Sequence, residues 1–245
     1  MKRLLISLLL CLSVLFITFQ FYEQELFASG VRAAFLLALT SLYIHEVKTK
    51  RFYFFMFLIT YCLAEIVNFT SWLYPRDFNG LDLYYFIGNS LFITAYLFLI
   101  VQVMKSINTK SLLKTYPFHI AILVVLDVFC VVIVTATTEE TLVTSQYVME
   151  FLYNSVIMVL VSVALLNYIH HDNKKAMNLL IGTIFIVFSE VIQLAYFYVV
   201  GFNFLNVICS LFFVIAFLFF YLQARLKNEL NSEQYHEASL QELEA

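Results

Sequence analysis

The chain has 245 residues, of which 62% are hydrophobic and only 13% charged, with two prolines, five glycines and a mean hydropathy of +0.88. A soluble domain of this length could not hide so much apolar surface in one core, so the composition predicts an all-α polytopic membrane protein with no separate soluble domain. A formal net charge of −3 implies no nucleic-acid partner.

Apolar runs of about 20 residues, enough to cross a bilayer, fall near 4–22, 27–45, 52–73, 83–104, 115–136, 145–168, 176–200 and 203–224. The first, in "MKRLLISLLLCLSVLFITFQFY", lacks a small-x-small cleavage site and reads as a retained helix rather than a cleaved signal. The third and seventh spans each carry a glutamate deep in the run, Glu65 and Glu190. A lipid-facing charge at such depth costs about 2.5–3.5 kcal/mol on insertion scales, so each needs a packing partner, a wet cavity or a reaction to justify it. No lysine lies within a span, which argues against a retinal protein. The four cysteines stand singly in different apolar runs and read as small packing residues, without metal spacing.

Charges in the connections set the direction. One side collects Lys2, Arg3, Lys48, Lys50, Arg51, Lys105, Lys110, Lys114, Lys174, Lys175, Arg225 and Lys227. The other has Arg76 alone among Glu23, Glu25, Asp77, Asp82, Glu139 and Glu140. The positive-inside rule then puts both termini in the cytoplasm, with an even number of spans. The expected location is the cytoplasmic (inner) membrane of a bacterium.

The second span ends "YIHEVKTK" (43–50) and the sixth ends "YIHHDNKK" (168–175), an offset of 125 residues. At the same offset "AEIVNF" (64–69) faces "SEVIQL" (189–194), and slightly off it "SLFITAYLFLIVQ" (90–102) resembles "SLFFVIAFLFFYLQ" (210–223). These matches predict a parallel four-plus-four duplication within one membrane domain, 1–225, with halves 1–110 and 111–225. Residues 226–245 form a charged cytoplasmic tail. The register places Glu65 and Glu190 on equivalent helices, both roughly 20 Å from the cytoplasmic ends at 1.5 Å per residue.

Each glutamate is followed on its helical face by an amide, Asn68 or Gln193. Arg32, Asn89, Asp127, Glu150 and Asn154 fall in the same outer half, so the pattern predicts a polar cavity open toward the outer leaflet. Membrane amides often serve as helix-helix glue, Asp127 could pair with a neighbouring helix, and Arg32 could snorkel outward. In the cavity reading Glu65 and Glu190 are the catalytic candidates, with Arg32, Asn68, Asn89, Gln193, Glu150 and Asn154 contacting a ligand. "HHD" (170–172) has ligand residue types but lies in a lysine-rich loop, and no metal or other cofactor is expected. No nucleotide loop, GxSxG elbow or HExxH stretch occurs.

Eight spans with both ends inside, an acid late in the third, "FIGNSLF" (86–92) opening the fourth and "LIGTIFIVFSEVIQL" (180–194) in the seventh resemble the YhhN-like family, which includes the lysoplasmalogenase transmembrane protein 86. On that resemblance Glu65 and Glu190 stand where the family has aspartates. Gly88, Phe92 and Gly182 fit its glycine-bearing motifs, and Arg32 replaces a lysine. The departures are Glu for Asp twice, Ala64 for glycine, Ala33 for proline, and Thr94 nearest to an absent histidine. The resemblance implies a membrane hydrolase that cleaves the vinyl ether of a lysophospholipid by carboxylate acid/base chemistry. A proton-coupled small-molecule transporter and a non-catalytic lipid-binding or sensory module are the alternatives on the same residues. The oligomeric state is left open.

Overall fold

The computed structural model describes residues 2–74, 82–107 and 109–226; Arg76, Asp77, Lys227 and nearly all of the charged tail lie outside the described residues, as do the side chains of Lys110 and Ser111. Within them the chain forms α1 (Lys2–Phe21), α2 (Glu25–Glu46), α3 (Phe52–Leu73), α4 (Leu83–Met104), a short α5 (Thr109–Thr115), α6 (Pro117–Ala136), α7 (Thr144–His171), α8 (Lys174–Leu194) and α9 (Asn203–Arg225). All except α5 are long and apolar enough to cross a membrane. This is an all-α polytopic membrane protein, and the spans read from the sequence end within three residues of the observed helices once the π-helical turn Ala195–Val199 is counted with α8.

Helix ends follow local chemistry. Asp82 caps α4 by accepting from the Tyr85 backbone N–H at 3.1 Å, and Asn173 caps α8 through the Ala176 N–H at 2.9 Å. Pro117 opens α6, where its missing N–H costs nothing. Asp172 ends α7 in the left-handed region, φ 42°, a conformation Asp tolerates better than most residues. The end of α8 widens into a π-helical turn, Ala195–Val199, before the chain reverses into α9.

Helices α1 to α4 pack against one another in chain order; α4 then meets α7, followed by α8 and α9, and α9 returns to α1 and touches α2. Helix α6 stands outside this ring, packed chiefly on α7, and presents Val124, Val125, Val128 and Phe129 outward. The tightest seam is α8 on α9. A Cβ at Gly182 would lie 2.8 Å from the Phe220 ring and 3.1 Å from the Ala216 carbonyl oxygen, so only glycine allows this approach. Lys2 pairs with Glu46 at 2.6 Å, and Lys175 Nζ donates to the Leu226 carbonyl at 2.9 Å. Both described ends of the chain therefore lie at one end of the bundle, the lysine-rich end.

Candidate functional site

Polar side chains gather toward the opposite end, around an arginine. Arg32 sits two turns into α2 and is buried, and among the described residues its ion-pair partner comes from α3. Its Nε donates to Glu65 Oε1 at 2.7 Å, and its Nη2 pairs with the same oxygen. Glu65 is 0% exposed. The guanidinium also lies 4.5 Å from the centroid of the Phe213 ring, so one side chain ties α2 to α3 and α9. Desolvating two charges is costly; such a pair chiefly holds its helices in one register and is expensive to break from one side.

Glu190, on α8, has a different environment. Its Oε1 accepts from Tyr96 Oη at 3.0 Å and Tyr61 Oη at 3.4 Å, and the two phenols are 3.3 Å apart. Those phenols come from α3 and α4, so the acid of one half of the chain is held by hydroxyls of the other. Below them Tyr61 packs on Phe217 and Phe92, with centroids 4.8 and 4.9 Å away, which closes the floor with aromatic carbon. Unlike Glu65, Glu190 is only half-buried, and it faces a cavity of about 320 Å³.

The cavity wall explains the polar layer. Of the residues expected at a site, Arg32, Asn68, Asn89, Glu150, Glu190 and Gln193 all line it. Two do not. Glu65, expected as half of an acid/base pair, lies behind Arg32 and does not line the cavity. Asn154 lies deeper, its amide donating to Thr135 Oγ1 at 3.1 Å and Glu150 Oε1 at 3.4 Å, as helix-helix glue does. Asp127 is outside as well, accepting from Ser162 at 2.7 Å across the α6–α7 contact.

Sequence reasoning also missed part of the wall. Glu25 and Asp82 were assigned to the connections by their charge, yet both face the cavity. Glu25 Oε1 accepts from Asn206 at 2.7 Å, and the same amide donates to Gln20 at 2.8 Å, joining α1, α2 and α9. Tyr85 donates to Glu150 Oε2 at 3.2 Å. Tyr61 could have been found, since it stands four residues before Glu65 and one turn away. Tyr85 and Tyr96 carry no such signal among the many aromatics. Among the described residues the wall thus bears four carboxyl groups, Glu25, Asp82, Glu150 and Glu190, against one cation, Arg32.

These features define an integral membrane protein with a polar, acid-rich cavity sunk into one end of a helical ring. No family model matches the chain, and neither a curated protein nor a solved structure is significantly similar to it.

Proposed function

We propose that the chain is a divergent YhhN-like membrane hydrolase, and that the cavity takes the polar part of a lysophospholipid carrying a vinyl ether. The observation that supports this most is Glu190, a hydrogen-bonded carboxyl group facing a cavity that also holds a buried guanidinium. Protonated Glu190 delivers its proton to the β-carbon of the vinyl ether, leaving an oxocarbenium ion at the α-carbon. Water adds there and returns its proton to the Glu190 carboxylate, and the hemiacetal collapses to an aldehyde and the freed glycerol hydroxyl. One carboxyl group completes the cycle, and Tyr61 and Tyr96 orient it. Glu65 is then a positioning residue, fixing Arg32 so that the guanidinium donors not used on Glu65 can bind the phosphate.

The charge of the wall refines the substrate. One cation among four acids suits a zwitterionic head group, its phosphate on Arg32 and its amine toward Glu150 or Glu25. The test is aldehyde release from lysoplasmenylethanolamine by the purified chain in detergent. Wild type should release aldehyde and Glu190→Gln should not; a fully active Glu190→Gln would overturn the mechanism. A proton-coupled carrier is the second reading, favoured by the contiguous phenols Tyr61 and Tyr96 leading from Glu190 into the core. It predicts substrate uptake that collapses with the proton gradient and no aldehyde in detergent.

A further inference from the structure

The lysine-rich end of the bundle contains a second cavity, of about 280 Å³, that shares no wall residue with the first. Four basic side chains line it: Arg51 at the start of α3, Lys105 at the end of α4, His171 at the end of α7 and Lys175 at the start of α8. Among the described residues no carboxylate lines it. A surface made basic only by the positive-inside rule would be open and solvated, whereas this one continues inward to buried amides. Asn167 and Gln223 are 5% and 6% exposed and stand on the wall.

Those amides are what give the cavity the character of a site. Asn167 Oδ1 lies 3.1 Å from Ser106 Oγ, whose one proton it shares with the Val103 carbonyl at 2.6 Å, and the Asn167 amide N–H groups donate to no other described residue. Gln223 is more than nine-tenths buried, makes no hydrogen bond to another described residue, and has its amide on the cavity wall, where a ligand can reach it. Lys105 is held in place by Tyr53, whose hydroxyl accepts from Nζ at 2.8 Å and whose ring centroid lies 4.2 Å from it. The capped N-terminus of α8, at Asn173 and Ala176, also borders the space and adds the partial positive charge of a helix end. Gln102 and Gln223 end the matched stretches "YLFLIVQ" and "FLFFYLQ" of the two halves, and both reach this one cavity.

We propose that this second cavity binds a phosphate group. Three fixed cations and several converging N–H donors exceed what one carboxylate could neutralise, whereas a phosphate monoester brings about −1.5 to −2 charges and three acceptor oxygens. Phosphate of this kind could come from a soluble metabolite or from the head group of an acidic lipid in the leaflet on that side.

The test is equilibrium binding to the full-length chain in a neutral detergent, with two probes: radiolabelled inorganic phosphate and dioctanoyl phosphatidate. Saturable binding of one probe molecule per chain is expected, weakened at least tenfold by Lys105→Gln and by Gln223→Leu and unchanged by Lys114→Gln on exposed α5. Each variant must elute as the wild type does, and two variants on different helices guard against a single folding failure. Binding of phosphate itself identifies a soluble ligand, and binding of phosphatidate alone identifies a lipid head group. No saturable binding of either probe, equal competition by acetate, or full binding in both cavity variants would overturn the proposal. Aldehyde release in the first cavity is scored separately, so either proposal can fail alone.

Discussion

Glu65→Gln should be among the most destabilising single changes in the protein, for a reason specific to its position. The substitution is nearly isosteric, so no cavity opens; what it removes is the counter-charge that, among the described residues, is bonded to a guanidinium itself 8% exposed. Removing one partner of a buried pair costs about 3–5 kcal/mol, because the other charge stays buried and uncompensated. At about 2–4 °C per kcal/mol for a chain of this size, the thermal midpoint should fall by roughly 10 °C. Replacing both partners, Arg32→Met with Glu65→Leu, should recover most of that loss, since two apolar side chains need no desolvation. The assay is thermal unfolding in neutral detergent, by far-ultraviolet circular dichroism, of wild type, both single variants and the double variant. If Glu65→Gln melts within about 2 °C of wild type, or the double variant is no more stable than the singles, the Arg32–Glu65 pair does not hold α2 to α3.

Gly182→Leu should lower the midpoint through overpacking worth about 1–3 kcal/mol, because a Cβ there already falls 2.8 Å from Phe220. Gly88→Ala is the matched control, its new Cβ meeting Val67 at 4.0 Å, and should change little. Asp127→Val should leave the midpoint unchanged or raise it, since it removes a half-buried carboxyl from the outward helix α6 and Ser162 can turn to its own helix. Glu150→Gln should weaken any preference for an amine-bearing head group over one without an amine, read as the ratio of kcat/KM for two lysolipids.

Much of the fold was legible because a bilayer leaves a chain few options: with every backbone group to satisfy, an apolar run of sufficient length becomes a helix. The existence of a polar layer was legible for the same reason, since Arg32, Glu150 and Glu190 would not be tolerated against lipid. Which acids share a surface was not. Glu65 and Glu190 have the same depth and the same flanking amide pattern, and what separates them is a side chain 33 residues away. Depth can be read along one helix, but the direction a residue faces depends on how helices are ordered around the ring. The sequence also gave no reason to place α6 outside that ring, which is why Asp127 was grouped with residues it never meets. Glu25 was hidden by a different effect, because an acid beside a connection reads as solvated until the neighbouring helix supplies Asn206.

On the proposed register of 125 residues, the position matching Arg32 is Ile157, 3% exposed in the core of α7. On that register the guanidinium has no counterpart in the second half, and the two glutamates lie in different surroundings. Glu65 is captured, neutralised and withdrawn from the cavity. Glu190 instead accepts from Tyr61 and Tyr96 of the first half, which are neutral donors. The first half contributes a fixed charge and oriented phenols, the second contributes the acid, and the cavity lies where they meet.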